Sequence, residues 1–171
     1  MQVTSYGLFW RRDEVEWSPG SGQRGRFKLL GHIGERKPRL KVADFRLQQG
    51  IYVLFDDYGP SYVGLTRREK GLGQRLKEHD SDHLKHCWDR FCWFGFKSLA
   101  KSSQVPGFYS LADPQVSVTA NTSADIGDLE ALLIQVIGPK NNSRNMRFQN
   151  ADEWLQVEHG MYDEYLARLK S

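Results

Sequence analysis

The sequence predicts a mixed α/β (α+β) fold, and three patterns carry that prediction. Apolar residues recur at a two-residue period in the first 48 residues, which is typical of strands. Two segments rich in β-branched and aromatic residues flank a turn at residues 56–60, which predicts a hairpin. Leucines at helical spacing follow the hairpin. With 171 residues, of which 39% are hydrophobic, the chain can bury a core of ordinary size.

Residues 1–48 are predicted to form a β-rich N-terminal extension. Segments at residues 7–10, 27–33 and 39–47 have strand character, and the intervening SPGSGQRG and GERKP stretches have the composition of turns. The extension is basic, with ten Lys and Arg against five Asp and Glu, whereas the whole chain has a net charge of only +3. Such a region indicates either a polyanionic partner or a solvated surface.

The predicted hairpin opens a second region, residues 49–150. Its strands are GIYVLF at residues 50–55 and SYVGLT at residues 61–66, joined by the turn sequence DDYGP. We expect two helical pieces next, at residues 71–79 and 82–89, or one broken helix over both, because apolar residues there recur at helical spacing among charged residues.

The rest of the chain is predicted to alternate between buried and amphipathic elements. FCWFGFKS, at residues 91–98, is expected to be a buried strand. IGDLEALLIQVI, at residues 126–137, is the strongest helical pattern and ends before Gly138-Pro139. A last amphipathic helix is expected at residues 151–170, in a C-terminal segment, 151–171, that packs on the same domain.

Composition excludes several classes of protein. No run of about 18 apolar residues occurs, so we expect no membrane span. The opening residues, MQVTSYGLFWRRDEVEW, lack the regions of a secretory signal. Cys87 and Cys92 are too few for a disulfide framework, which favours a reduced, cytoplasmic setting. His83 and Cys87 share a predicted helix face and allow a zinc site, although the alternative is that both cysteines are buried apolar residues.

Two tyrosines on the predicted hairpin are candidates for chemistry. Antiparallel pairing can bring Tyr52 and Tyr62 to one face of the sheet with their hydroxyl groups converging. A phenol is a poor base by itself, but beside a guanidinium or a metal-bound water it can orient water or accept a proton. The alternative is that both are ordinary strand tyrosines.

Charged side chains on the predicted helices are the other candidates. Arg75 and His79 are four residues apart and share a helix face, where they could hold a phosphate and relay a proton. The alternative is an exposed basic face. Glu130 lies among leucines and either binds a divalent cation or faces solvent beside Asp128.

The order of these residues resembles the GIY-YIG nuclease superfamily. The matching motifs are GIY ending at Tyr52, YVG beginning at Tyr62 where YIG is usual, LGQRLKEH, DLEALLI and GPKNN, and they span residues 49–145. The resemblance implies a small central three-stranded antiparallel sheet flanked by helices. It also implies hydrolysis of phosphodiester bonds, usually in DNA, with one divalent ion, Mg²⁺ or Mn²⁺, per active site.

The resemblance also implies a role for each matching residue. Tyr52 corresponds to the tyrosine that activates or positions the water, and Tyr62 to its partner near the scissile phosphate. Arg75 corresponds to the cation that stabilises the transition state, and Glu130 to the single metal ligand. His79 matches a histidine found in some branches of the superfamily.

Further residues are predicted to support the site or to bind nucleic acid. Asn141 corresponds to the asparagine that holds the site together, with Asn142 as the alternative register. A basic residue is expected between YVG and Arg75. The candidates for DNA contacts are Arg67, Arg68 and Lys70 near the site, and Arg36, Lys37, Arg39 and Lys41 in the extension.

The sequence therefore predicts a metal-dependent DNA endonuclease of a restriction, mobile-element, repair or phage-defence type. Two cuts in duplex DNA usually need two active sites, so a homodimer is one possible assembly. One alternative is a nucleic-acid-binding module that keeps this fold but cleaves little. Another is a protein–protein adaptor that uses the N-terminal extension.

Overall fold

The computed structural model describes residues 3–17, 27–66, 71–101, 105–112 and 151–170, together with residues 128, 131, 132, 135, 136 and 148. The strands are β1 (Ser5–Arg11), β2 (Leu30–Ile33), β3 (Lys41–Asp44), β4 (Gly50–Asp56), β5 (Gly59–Thr66), β6 (Arg90–Gly95), β7 (Leu99–Lys101), β8 (Phe108–Leu111), β9 (Asp152–Glu153) and β10 (Leu155–Gln156). The helices with defined bounds are α1 (Gly71–His79) and α2 (Tyr162–Lys170), the latter preceded by a 3₁₀ turn at His159–Met161.

The first sheet has the strand order β5-β4-β6-β1-β9 and is mixed. Strands β4 and β5 form the predicted hairpin, and β6 pairs antiparallel with the other side of β4. Strand β1 pairs antiparallel with β6, and β9 lies parallel to β1. This five-stranded sheet is called the hairpin sheet below.

The second sheet has the order β10-β2-β3-β8-β7 and is also mixed. Strands β2 and β3 are antiparallel, and β8 lies parallel to β3. Strand β10 pairs with β2 only two residues after β9 leaves the hairpin sheet, so the C-terminal segment joins the two sheets at this point.

The predicted three-stranded sheet flanked by helices is therefore wrong. The three antiparallel strands β5, β4 and β6 are present, but they are part of a five-stranded mixed sheet beside a second one. The physical reason is burial: Trp10 on β1 packs against Phe91 and Trp93 on β6, so the N-terminal strand pairs with the edge that β6 offers.

Two predicted helices also differ from the structure. Residues 80–87 form turns rather than a helix. Where one helix was expected at residues 151–170, strands β9 and β10 come first and the helix begins only at Tyr162. Trp154 and Val157 are both buried, and an extended chain brings each into a separate apolar cluster beside the sheets, which overrides helical propensity. The predictions of the hairpin, of α1 and of a buried strand at β6 are confirmed.

Three clusters of apolar side chains pack against the sheets and helices. The first lies between one face of the hairpin sheet, α1 and the second sheet, and contains Tyr52, Leu76 and Trp93. The second covers the opposite face of the hairpin sheet, where the helical residues Ala131 and Leu132 pack. The third lies between the second sheet and α2. In the described part of the chain, no helix is long and apolar enough to cross a membrane.

Candidate active site

The predicted site residues on the hairpin share one face of the sheet. Tyr52 on β4 is paired across the hairpin with Gly64, and Tyr62 with Leu54, so the two tyrosines are diagonal neighbours. Their ring centroids are 6.2 Å apart. Because strand side chains alternate between faces, both rings turn towards α1, while Val53 turns to the opposite face.

Two glycines of the matching motifs make room for this arrangement. A Cβ atom at Gly64 would lie 2.1 Å from Cζ and 2.2 Å from Oη of Tyr52, so the tyrosine ring occupies the space that any other side chain would need. At Gly50 a Cβ atom would lie 1.9 Å from the carbonyl oxygen of Phe94 on β6. The two glycines therefore let the ring of Tyr52 and the backbone of β6 approach the hairpin.

Helix α1 supplies the other two described candidates. Its first N–H groups, those of Leu72 and Gly73, donate hydrogen bonds to the carbonyl groups of Gln48 and Arg46 in the turn between β3 and β4. Leu72 and Leu76 are buried in the cluster beneath the hairpin sheet, which fixes the orientation of the helix. Arg75 and His79 consequently project from α1 near the two tyrosines.

His79 is the centre of a hydrogen-bonded chain. Its Nε2 lies 2.7 Å from Oη of Tyr52, and its Nδ1 lies 2.8 Å from Oδ2 of Asp82. The ring of Tyr62 meets the imidazole edge to face at a centroid distance of 5.0 Å. Only 2% of His79 is exposed, so both ring nitrogens make their hydrogen bonds within the protein.

Burial governs the acidity of Tyr52. The side chain is fully buried, and this raises the pKa of its phenol to about 12, because the phenolate would lose its hydration. The Arg75 guanidinium acts in the opposite direction, and it lowers the pKa less than burial raises it. Tyr52 is therefore a neutral hydroxyl at neutral pH, and it needs a partner to take its proton before it can act as a base.

Arg75 is held by an acidic neighbour. Its Nη1 lies 2.6 Å from Oε2 of Glu78, three residues further along α1, and this contact is the main reason that the pKa of Arg75 is raised. The guanidinium is partly exposed. An exposed ion pair at this spacing is weak, so an incoming phosphate could displace Glu78.

The sequence prediction missed Asp82 and Glu78. Glu78 could have been found from its spacing to Arg75 along the predicted helix. Asp82 was missed because residues 82–89 were predicted as a separate helical piece, so no contact between its side chain and His79 was expected. The signal was the sequence Asp80-Ser81-Asp82, which is typical of a turn.

Several predicted residues lie outside the described part of the chain. They are Glu130, Asn141 and Asn142 of the catalytic set and Arg67, Arg68 and Lys70 of the basic set. The helical residues on either side of Glu130 are described: Asp128 accepts a hydrogen bond from the backbone N–H of Val3, and Ala131 packs on the sheet face opposite Tyr52.

The basic residues of the extension lie away from this site. Arg36, Lys37 and Arg39 are exposed in the turn between β2 and β3, and Lys41 begins β3. The turn that contacts α1 follows the other end of β3, about 10 Å along the strand from Lys41. None of the described hydrogen bonds, ion pairs or ring contacts joins these four residues to Tyr52 or His79.

A metal site is not evident from the described side chains. Among the described residues, no group of three His, Cys, Asp or Glu side chains could hold a metal ion. Asp82 is already engaged by His79 and by the backbone N–H of Leu84. Of the two cysteines, Cys92 is buried as predicted, whereas the prediction for Cys87 is wrong because it is exposed.

Comparisons of the chain with protein-family models, with curated proteins and with solved structures found no match.

Proposed function

We propose that this protein is a metal-dependent endonuclease that hydrolyses phosphodiester bonds in DNA in the manner of the GIY-YIG nucleases. The observation that carries the proposal is the hydrogen bond between Tyr52 and His79, with Tyr62 packed against the imidazole and Arg75 one turn away on α1. These four residues come from three motifs that are up to 27 positions apart in the chain, and their chemistry suits attack of water on phosphorus.

The proposed proton path starts at the attacking water. Tyr52 cannot hold a free phenolate near neutral pH, since burial raises its pKa to about 12. As Oη takes a proton from water, it passes its own proton to Nε2 of His79, 2.7 Å away. The water oxygen then bonds to phosphorus, the bond from phosphorus to the leaving oxygen breaks, and that oxygen takes a proton from solvent.

Arg75 would bind the phosphate. A guanidinium matches two phosphate oxygens and stabilises the charge that builds up on them in the transition state. Exchange of Glu78 for phosphate at Nη1 would keep the guanidinium paired before and after substrate binds. Glu78 therefore competes with substrate and would disfavour nonspecific anions.

A divalent ion, Mg²⁺ or Mn²⁺, is part of the proposal, and Glu130 is its predicted ligand. Of the described carboxylates near the site, Asp82 is engaged by His79 and Glu78 by Arg75, so a hard cation needs a further carboxylate. When bound, the ion would stabilise the leaving oxygen.

A substrate panel tests the proposed function. Supercoiled plasmid, single-stranded DNA and RNA are incubated with the protein in Mg²⁺ or Mn²⁺, with and without chelator. We expect plasmid nicking or linearisation that chelator abolishes and that Glu130→Ala removes. The proposal fails if the folded protein cuts none of the substrates, or if Glu130→Ala cuts as well as wild type. Binding without turnover would instead identify a nucleic-acid-binding module.

Arg75→Ala separates chemistry from docking. We expect the cleavage rate to fall by about 10²-fold or more, while DNA affinity, measured by fluorescence anisotropy, falls much less, because binding of the phosphate only replaces the existing pair with Glu78. Arg90→Ala is the matched control, because this guanidinium is also partly exposed but pairs with Asp89 at the end of β6. Equal losses of affinity and cleavage in Arg75→Ala would make Arg75 a docking residue.

The basic turn between β2 and β3 is proposed as a secondary DNA contact. Arg36, Lys37 and Arg39 are exposed there and would bind backbone phosphates at some distance from the cut. Replacing all three by Ala should weaken binding and reduce its salt dependence, without changing the cleavage rate at saturating DNA. An unchanged salt dependence would rule out this contact.

A further inference from the structure

A turn that follows α1 carries an aspartate whose two oxygens have different partners. Oδ2 of Asp82 lies 2.8 Å from Nδ1 of His79, and Oδ1 accepts a hydrogen bond of 2.8 Å from the backbone N–H of Leu84. The bond from Leu84 anchors the carboxylate to the turn, so that Oδ2 is aimed at the imidazole. The backbone of the turn therefore fixes the position of the carboxylate independently of His79.

This carboxylate is ionised at neutral pH. The hydrogen bond from Leu84, and to a smaller extent His79, lowers the pKa of Asp82 below its usual value. An ionised carboxylate can only accept hydrogen bonds. Nδ1 of His79 must therefore carry a hydrogen, because two acceptors 2.8 Å apart would repel each other.

The consequence appears at the other ring nitrogen. A neutral imidazole with its hydrogen on Nδ1 has a lone pair on Nε2, and this lone pair faces Oη of Tyr52 at 2.7 Å. The phenol then donates and the imidazole accepts. With the opposite tautomer, Nε2 would donate to Tyr52 and could not take its proton.

We propose that Asp82 is a positioning residue that holds His79 in the Nδ1–H tautomer, so that Nε2 is ready to accept the phenolic proton of Tyr52. Asp82, His79 and Tyr52 then form one directed chain of hydrogen bonds that runs from the turn after α1 to the buried face of β4. Asp82 touches no substrate and acts only through His79. The role rests on the proposed function, since the direction of the chain matters for catalysis only if Tyr52 acts on water.

Several titratable groups surround His79. In the described part of the chain they include Tyr52 from β4, Tyr62 from β5 and Asp82 from the turn. Arg75 and Glu78 lie about one turn earlier on α1, Asp80 follows His79 in the chain and pairs with Arg12, and His83 lies near Asp82. The backbone carbonyl of His79 accepts a long hydrogen bond, 3.4 Å, from the indole of Trp88. Asp82 is the group among these that contacts Nδ1.

The first test reads the tautomer directly and needs no activity. Protein labelled with ¹⁵N-histidine gives two-bond ¹H–¹⁵N correlations in which the protonated and bare ring nitrogens differ. The chain has five histidines, and the spectrum of His79→Gln assigns the missing signals. We expect a protonated Nδ1 and a bare Nε2 at His79. A proton on Nε2 of the wild-type protein overturns the proposal, whether or not the protein cuts DNA.

The second test changes the acceptor to a neutral amide. In Asp82→Asn, the amide NH₂ can donate to Nδ1, so we expect a growing share of the Nε2–H tautomer. Cleavage should fall by about 10- to 100-fold, because the proton acceptor is correctly set only part of the time. DNA affinity should stay unchanged, since Asp82 does not contact substrate.

Asp80→Asn is the matched control. Asp80 lies two residues earlier in the same turn and pairs with Arg12 rather than with His79. We expect it to keep the wild-type tautomer and the wild-type cleavage rate per folded molecule. The proposal is overturned if Asp82→Asn keeps both the tautomer and the rate, or if Asp80→Asn loses as much cleavage. A wild-type protein without cleavage, but with the expected tautomer, would count against the nuclease function and not against the role of Asp82 towards His79.

Discussion

The two faces of the hairpin sheet use the same strands for different purposes. Towards α1, Tyr52 and Tyr62 meet His79 through hydrogen-bonding and ring contacts. On the opposite face, Val53 and Cys92 belong to a cluster of apolar side chains that the helical residues near position 131 cover. Consecutive residues of β4 therefore carry a proposed catalytic side chain and a core side chain in turn, because strand side chains alternate. A phenol can be buried as deeply as a valine provided that its hydroxyl has a partner.

The largest difference between the faces should appear when neighbouring residues of β4 are changed. Tyr52→Phe should lower the cleavage rate by about 10²-fold or more, because water loses its proton acceptor. It should lower the free energy of unfolding by about 1–3 kcal/mol, since Nε2 of His79 is left unpartnered.

Val53→Ala is the control from the opposite face. It should lower the free energy of unfolding by about 2 kcal/mol, by removing buried methyl groups, and leave cleavage per folded molecule unchanged. Denaturant unfolding and plasmid nicking measure the two effects. Wild-type cleavage by Tyr52→Phe would remove the functional distinction between the faces.

Gly64→Ala tests how closely the ring of Tyr52 packs against Gly64 on the sheet face towards α1. The new methyl group would overlap Tyr52 at Cζ, so the ring must move and the bond to His79 must lengthen or break. We expect a loss of about 1–3 kcal/mol in the free energy of unfolding and reduced cleavage.

Gly160→Ala is the control for the glycine substitution, because no atom lies within 4 Å of the position of its Cβ. Its unfolding free energy should stay within about 0.5 kcal/mol of wild type. Equal stability of the two variants would mean that Tyr52 does not occupy the space above Gly64.

Alkaline unfolding should report the burial of Tyr52. Because the folded-state pKa is raised from 10.0 to about 12, folded protein keeps a proton that unfolded protein loses. This contribution to stability is complete below pH 10 and is lost as pH rises towards 12, by about 3 kcal/mol in total. Burial also raises the pKa of Tyr162, which adds to the same slope.

Two tyrosine variants isolate that contribution. Tyr52→Phe should flatten the fall in stability between pH 10 and 12, measured by urea unfolding at each pH. Tyr58→Phe should leave it unchanged, because Tyr58 is 99% exposed and its hydroxyl is hydrated in the folded and the unfolded chain alike. A slope that does not change in Tyr52→Phe would contradict the raised pKa.

The smallest perturbation concerns the cysteines. Burial raises the pKa of Cys92 to about 12, so its thiolate is scarce at pH 8, whereas Cys87 is exposed. A thiol reagent should modify one cysteine in the native protein and both after denaturation. Cys87→Ser should remove the native reaction and change the unfolding free energy by less than about 0.5 kcal/mol. Rapid modification of Cys92 in the native state would show that its sheet face opens.

Local patterns predicted the parts of the site that lie within single elements. The hairpin followed from β-branched and aromatic residues around a turn, and antiparallel pairing of its two strands placed Tyr52 and Tyr62 on one face. The spacing of Arg75 and His79 followed from the helical period. Asp82 was not predicted because its role depends on a turn. The helical spacing of Leu84 and Trp88 had indicated a helix there instead.

By itself, the sequence determined the hairpin, α1, the buried strand β6 and the residue types available for proton transfer and anion binding. Only the tertiary structure decided that β1 and β9 extend the hairpin sheet, that β10 joins the second sheet, and that Asp82 turns back to His79. The physical reason is that a local period depends on neighbouring residues and shows only which face of an element is apolar. The partners of a strand or of a buried polar atom are residues distant in the chain, and they depend on which sheet edges and polar atoms the rest of the fold leaves unpaired.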